Sequence, residues 1–314
     1  MTTPDAVFGA QSTAEDVLAG TDLTGTVALV TGTSAGIGVE TVRTLAAHGA
    51  TVVAAARDTG KAHGALGAVG VDVGGAVTIE EVDLASLASV RAFTDRIAAT
   101  HDRLNLLVAN AGVMACPEGR TTDGFETQFG TNHLGHFVLL NRLVPLLVAG
   151  APSRVVCLSS TGHRGSDVDL DDPNFELTPY EPWAAYGRAK TANALFAVEL
   201  DRRLRDQGVR AAAVHPGGID TELFRHLAPE MLARIAALRD RSPKTVAQGA
   251  ATTVWAGVVA DADAVGGRYC EDCAVAEVND DPRAPSGVRP YAVDPDNAAA
   301  LWARSEELVG ERFA

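Results

Sequence analysis

The stretch TVALVTGTSAGIGVETVRTLAAHGA, residues 26–50, passes from an apolar strand pattern through a glycine-rich turn into a helical pattern. The turn glycines are Gly32, Gly36 and Gly38, a G-x-x-x-G-x-G spacing. Glycine permits the tight turn and a close backbone approach to a ligand, and the helix start behind it presents free N–H groups and the positive end of a dipole. A glycine-rich turn alone is weak grounds for any function. Joining the first strand to the first helix of an alternating chain, it points to a dinucleotide held at Gly32, Ser34, Gly36, Ile37 and Gly38.

Outward from that turn the alternation continues. Residues 26–32, 50–56, 76–84, 103–111, 154–160 and 209–217 carry strand patterns, several of them apolar almost throughout, as strands covered on both faces must be. Segments 37–48, 85–100, 121–149 and 183–207 carry helical spacing. Strand–helix alternation of this kind implies right-handed βαβ units. The expected fold is α/β, a single Rossmann-type doubly wound parallel sheet of about seven strands with helices on both faces, over residues 25–277. Residues 1–24 read as an N-terminal arm, and 278–314 as a Pro/Asp-rich loop followed by a short helix.

The second strand ends AAARD, which places Ala56 and Arg57 where a cofactor's adenosine ribose would lie. An acidic residue there would bond a free 2′-hydroxyl and repel a 2′-phosphate; a guanidinium favours the phosphate. NADP(H) is therefore expected over NAD(H), with Ser34 as a further donor. The bland alternative is that Arg57 is a solvated strand-end charge. Asp83 and the amide of Leu84, at the end of the third strand, are expected at the adenine.

Composition excludes other classes. The 314 residues carry a formal net charge of −14 and no basic run, which argues against nucleic-acid binding. There is no apolar run of membrane-spanning length and no cationic, apolar leader, so a cytoplasmic location is expected, and the four cysteines suit a reducing compartment. Cys270 and Cys273 form a C-x-x-C, but no second ligand pair accompanies them, and no metal is expected.

Tyr186 and Lys190 stand four apart in WAAYGRAKTAN, residues 183–193. Lys61, Lys190 and Lys244 are the chain's only lysines among 26 basic residues. With four tyrosines in the chain, a chance Tyr-x-x-x-Lys is expected only about 0.04 times.

TGTSAGIG (31–38), NAG (110–112), NHLG (132–135), Ser159–Ser160, YGRAK (186–190) and HPGGIDT (215–221) occur in that order. In this set the chain resembles the short-chain dehydrogenase/reductase family over about residues 24–275. The long 161–185 segment, GGRYCEDC (266–273) and FGAQSTAEDVLAGTDLTG (8–25) resemble its retinol dehydrogenase and WW-domain oxidoreductase branch.

The resemblance implies a catalytic tetrad of Asn132, Ser160, Tyr186 and Lys190. Tyr186 would exchange a proton with the substrate oxygen, Ser160 would bond that oxygen, and Lys190 would lower the phenol's pKa and hold the nicotinamide ribose. Asn132 would order a water behind the lysine. Asn110, Ala111 and Gly112, and then Pro216, Gly217, Ile219 and Thr221, would contact the cofactor. The implied activity is NADP(H)-dependent interconversion of a ketone or aldehyde and an alcohol on a small lipophilic substrate; the resemblance leaves the assembly open between a homodimer or homotetramer, as in many relatives, and a monomer, as in some of this branch. An epimerase, a double-bond reductase or a non-catalytic cofactor-binding scaffold would share the fold. Residues 161–185 read as an insertion over the substrate cleft, and the amphipathic segment 222–238 as either a lid or plain core packing. Gly187 and Arg188 read as spacers, and neither His163 nor His215 is needed for the chemistry.

Overall fold

The computed structural model describes residues 8–219 and 243–313. Thr221 and the 222–238 segment lie outside the described residues. Eight strands form one sheet: β1 (Val27–Thr31), β2 (Thr51–Ala56), β3 (Val77–Glu81), β4 (Leu106–Ala109), β5 (Ser153–Leu158), β6 (Val209–His215), β7 (Tyr269–Glu271) and β8 (Ala274–Val275). Their order is β3-β2-β1-β4-β5-β6-β7-β8, parallel up to β7 and antiparallel only between β7 and β8. One strand more than expected therefore closes the edge. The order reverses between β1 and β4, and ligands of such sheets bind at the carboxyl ends of the strands flanking that reversal.

The sheet is covered on both faces, which explains its nearly all-apolar strands. On β5, Val155 and Cys157 enter one core while Val156 and Leu158 enter the other; on β4, Leu107 and Ala109 oppose Leu106 and Val108. The first core is closed by α4 (Leu87–Thr100), α6 (Gly135–Ala149), α7 (Pro182–Leu204) and α10 (Pro295–Val309). The second is closed by α1 (Ala14–Leu18), α2 (Gly36–Ala47), α3 (Thr59–Ala68) and α8 (Val246–Val254). The four-residue α9 (Ala262–Val265) precedes β7.

Both chain ends contribute to these cores. Within the expected arm, α1 is held by a Thr13–Asp16 capping box, and its Ala14, Val17 and Leu18 are buried in the second core. At the other end, Trp302 and Phe313 pack on the Phe137 ring at 5.1 and 5.6 Å between centroids. Truncating a buried Phe of this kind to Ala costs about 3–5 kcal/mol.

The expected helix over 121–149 starts later. Residues 121–125 fold back instead, with the Thr121 amide donating to the Phe125 carbonyl at 2.8 Å. Buried Glu126 then caps α5 (Thr127–Phe129), accepting from the amides of Gln128 and Phe129. A π-helical turn, Gly130–Leu134, separates α5 from α6 and carries Asn132. The C-x-x-C spacing also has a structural origin. Cys270 lies on β7, and Asp272 and Cys273 are the two central residues of the β7–β8 turn, with φ of 50° and 56°. Both thiols are buried and free, and burial raises their pKa values, that of Cys270 to about 12. Among the described residues no helix is long and apolar enough to cross a membrane.

Candidate active site

A cleft of about 1290 Å³ opens along the carboxyl ends of the strands. Gly32, Ser34, Gly36, Ile37, Arg57, Asp83 and Leu84 line one end of the sequence-expected set; Asn110, Ala111 and Gly112 follow; Ser160, Tyr186, Lys190, Pro216, Gly217 and Ile219 complete it. Gly38 and Asn132 are absent from the lining, for different reasons.

Gly38 serves packing. A Cβ there would fall 2.2 Å from the Gly32 carbonyl oxygen, and a Cβ on Gly32 itself, whose φ is +75°, would fall 2.7 Å from the Ala111 Cα. Only glycine fits such a crossing of helix and strand. Asn110 stitches the same turn, its Nδ2 donating to the Thr31 carbonyl at 2.7 Å and to that of Gly32 at 3.2 Å. Ala35, the N-cap of α2, offers no side-chain hydrogen bond. The helices begun at Thr13, Asp58, Ser86, Glu181, Thr245 and Asp294 are each capped by a side chain. Only α2, of these, turns uncapped amides to the cleft. That fits an anion, as the pyrophosphate of a dinucleotide would supply. At the Arg57 end, Lys61 lines the cleft as a second cation that the motifs do not reveal. Asp83 Oδ1 accepts from the Ala85 amide at 3.0 Å, which shapes the turn after β3.

Asn132 is fully buried behind the cleft wall. Its Oδ1 accepts from the Val113 amide at 2.8 Å and its Nδ2 donates to the Val113 carbonyl at 2.9 Å. A Cβ on Gly112 would lie 3.1 Å from Asn132 Oδ1 and 3.6 Å from Lys190 Nζ, so the two side chains converge behind that glycine. Lys190 Nζ donates to the Leu158 carbonyl at 2.9 Å, and Ser159 Oγ donates to the Lys190 carbonyl at 2.7 Å. Ser159 thus ties β5 to α7. Ser160 is the serine whose hydroxyl meets Tyr186; its Oγ also accepts from the Gly162 amide at 3.1 Å.

The electrostatics depart from expectation at Tyr186. Burial pushes its phenol up to about 12, and the hydrogen bond with Ser160 works in the opposite direction. Lys190 Nζ stands 5.7 Å from the ring centroid, and burial brings the ammonium down to about 8. The Ser160 hydrogen bond offsets burial only in part, and the phenol stays protonated.

Several contributors are ordinary residues that no motif singles out. Met114 and Trp183 line the cleft beside Tyr186, the Trp183 ring standing edge-on to it at 6.3 Å. The 161–185 insertion is braced internally: buried Asp172 accepts from the amides of Glu176, Leu177 and Thr178. Its Tyr180 donates to the Cys116 carbonyl at 2.9 Å and receives a hydrogen bond from Gln128 Nε2 at 3.0 Å. Arg188 is no spacer. Its guanidinium lies 4.0 Å from the Phe175 ring centroid and donates to the Asp172 carbonyl. Gly187 leaves room for the Gly162 carbonyl, which a Cβ would approach to 2.9 Å. His163 Nδ1 donates to the Ser160 carbonyl at 2.6 Å while its Nε2 accepts from the Arg289 amide at 3.2 Å, pinning the C-terminal loop under the serine. His215, at the cleft, is held neutral by burial.

Comparison with known proteins agrees with this architecture. The short chain dehydrogenase family model matches residues 26–232. Short-chain dehydrogenase/reductase prx1 of Penicillium roqueforti is 40% identical over 311 residues, covering 96% of this chain and 91% of that protein. Human retinol dehydrogenase 13 is 40% identical over 294 residues, covering 91% of this chain and 85% of its own. A crystal structure of an uncharacterised protein from Mycobacterium paratuberculosis superposes with a TM-score of 0.71 at 35% identity, covering 93% of this chain and 96% of its own.

Proposed function

This chain belongs to the short-chain dehydrogenase/reductase family, and from that premise we propose that it is an NADP(H)-dependent oxidoreductase interconverting a lipophilic ketone or aldehyde with its alcohol, Tyr186 acting as general acid and base. The observation that carries the reading is the juxtaposition at the inner end of the cleft. There the protonated phenol of Tyr186 meets the Ser160 hydroxyl, with Lys190 beside it on α7. The uncapped α2 amides and Arg57 lie further along the same cleft.

The residues would hold the cofactor as follows. The α2 N-terminus takes the pyrophosphate, Arg57 and Ser34 the 2′-phosphate, Asp83 and Leu84 the adenine, Lys190 the nicotinamide ribose, and Pro216, Gly217, Ile219 and Thr221 the nicotinamide amide side. When bound, the cofactor supplies a hydride to the carbonyl carbon. Tyr186 delivers its proton to the carbonyl oxygen, so that the product is the alcohol. Ser160 donates a hydrogen bond to that oxygen as charge develops on it. Lys190, through its ammonium, stabilises the phenolate left behind, and a water ordered by Asn132 returns the proton.

Met114 and Trp183 give the substrate end an apolar, aromatic wall, which supports a lipophilic substrate and agrees with the retinol dehydrogenase likeness. A homodimer or homotetramer and a cytoplasmic location belong to the same proposal. The test is Tyr186→Phe, assayed by NADPH consumption over aromatic ketones, aldehydes, steroids and retinoids. Loss of turnover with NADPH binding retained is expected; undiminished turnover would sink the mechanism.

A further inference from the structure

His136 is buried at the start of α6, and both of its ring nitrogens are committed. Nδ1 lies 2.9 Å from the backbone carbonyl of Asn132, one turn earlier, and Nε2 lies 2.9 Å from Oγ1 of Thr31. A carbonyl only accepts, so the ring proton sits on Nδ1 and the Nε2 lone pair faces the Thr31 hydroxyl. That hydroxyl's other acceptor, the Val108 carbonyl, is more distant at 3.4 Å. Thr31 Oγ1 in turn accepts from the amides of Asn110 and Ala111, both at 3.0 Å. Every donor in this chain is thereby fixed in direction. It runs from the π-helical turn that carries Asn132 to the last residue of β1 and on to the cleft wall at Asn110 and Ala111.

Three separate segments are joined through this ring and the Thr31 hydroxyl. The π-helical turn places Asn132 behind Lys190; Thr31 begins the glycine-rich turn; and Asn110–Ala111 forms the wall between them. In the π-turn the Gly135 amide reaches back to the Gly130 carbonyl, five residues rather than four, and the Asn132 carbonyl takes a side-chain partner as well. His136 is that partner.

We propose that His136 is a positioning residue for the reaction: its Nδ1–H fixes the Asn132 carbonyl, and its Nε2 ties that carbonyl through Thr31 to the amides of Asn110 and Ala111. The inference rests on the tetrad reading above.

Two substitutions separate the two nitrogens. Asn at this position keeps an amide donor near the place of Nδ1, as Asn141 does five residues later on the same helix, where its Nδ2 donates to the Phe137 carbonyl four residues back at 2.8 Å. His136→Leu removes both links. With NADPH and para-nitrobenzaldehyde, His136→Leu should lose roughly tenfold or more in kcat, and His136→Asn should recover to within about threefold of the parent. The solvent isotope effect on kcat should grow in the Leu variant and return to the parent value in the Asn variant. The cofactor-free parent protein gives an independent readout, because nitrogen NMR should find the His136 ring neutral with its proton on Nδ1. A ring protonated on Nε2, a folded Leu variant with parental kcat and isotope effect, or an Asn variant no better than Leu would each overturn the proposal. Tyr186→Phe assayed alongside keeps the two readings apart. If that variant turns over normally the tetrad reading fails, while the NMR result still decides the His136 geometry.

Discussion

Lys190 stands one helical turn beyond Tyr186, its Nζ 5.7 Å from the centre of the phenol ring, and burial moves the two groups in opposite directions. The phenol rises to about 12 and the ammonium falls to about 8. Through the physiological range the pair is therefore an acid that keeps its proton beside a cation that can lose one. On this ordering the alkaline side of the pH profile should be set by Lys190.

As pH rises through about 8, Lys190 loses its charge in the cofactor-free protein. The pH dependence of kcat/KM for NADPH reports the groups of that form. It should fall above about 8, well below the range of Tyr186. In Lys190→Arg, whose guanidinium stays charged, the descending limb should move out of the accessible range, although the bulkier group lowers the plateau. An unchanged limb would assign it to another residue.

Arg57 and Lys61 line the far end of the same cleft. A charge-assisted hydrogen bond is worth about 1.5–3 kcal/mol, so Arg57→Ala should weaken NADPH binding by roughly 10- to 100-fold. NADH, which lacks the 2′-phosphate, should bind nearly as before. Fluorescence titration with both cofactors measures this directly, and equal losses would remove the phosphate role from Arg57.

Arg188 holds the 161–185 insertion by its stacking on Phe175 and its bond to the Asp172 carbonyl. Arg188→Ala should lower stability by about 2 kcal/mol. Because the insertion carries both Tyr180 and Trp183, KM for the carbonyl substrate should rise while Kd for NADPH stays constant. Calorimetry and steady-state kinetics on one preparation read both; a parallel change in the two constants would mean a general loss of structure.

What the sequence reveals and what it hides follow from physical causes. Gly32 and Gly38 are legible because backbones cross there with no room for a Cβ, and Lys190 because a compact ammonium is rare in an arginine-rich chain. The strand patterns overrun the assigned strands, as at 76–84 against Val77–Glu81, because the apolar signal continues into Val82 and Leu84, buried past the strand's end. α1 escapes notice because five residues are too few for a helical period; its burial comes from packing near α8, far away in sequence. Arg188, His136 and His163 act through partners set by tertiary structure, and nothing in their local pattern announces it. The late start of the 121–149 helix is of the same kind, since it depends on Glu126 being buried where it can cap.

The buried histidines carry a prediction about acid. Among the described residues four histidines, His133, His136, His163 and His215, are buried, and burial lowers their pKa values to about 3, 4, 4 and 3. Above pH 6.5, the ordinary value, they are neutral in folded and unfolded chain alike and leave stability unaffected by pH. Below it the unfolded chain takes up protons that the folded one refuses, so each destabilises the fold by about 1.4 kcal/mol per pH unit down to its own folded value. Urea unfolding should therefore show stability falling steeply from pH 6.5 to 5, before most carboxylates titrate. His133 offers the cleanest dissection. Its ring lies among Phe129, Phe137 and Phe196, its Nδ1 has no hydrogen-bond partner among the described residues, and its Nε2 donates to Ser305, which itself donates to the Leu301 carbonyl. His133→Phe should keep the fold and flatten the pH slope by one histidine's share. Equal stability at pH 5 and pH 7 in the parent would mean that these rings accept protons without leaving the core.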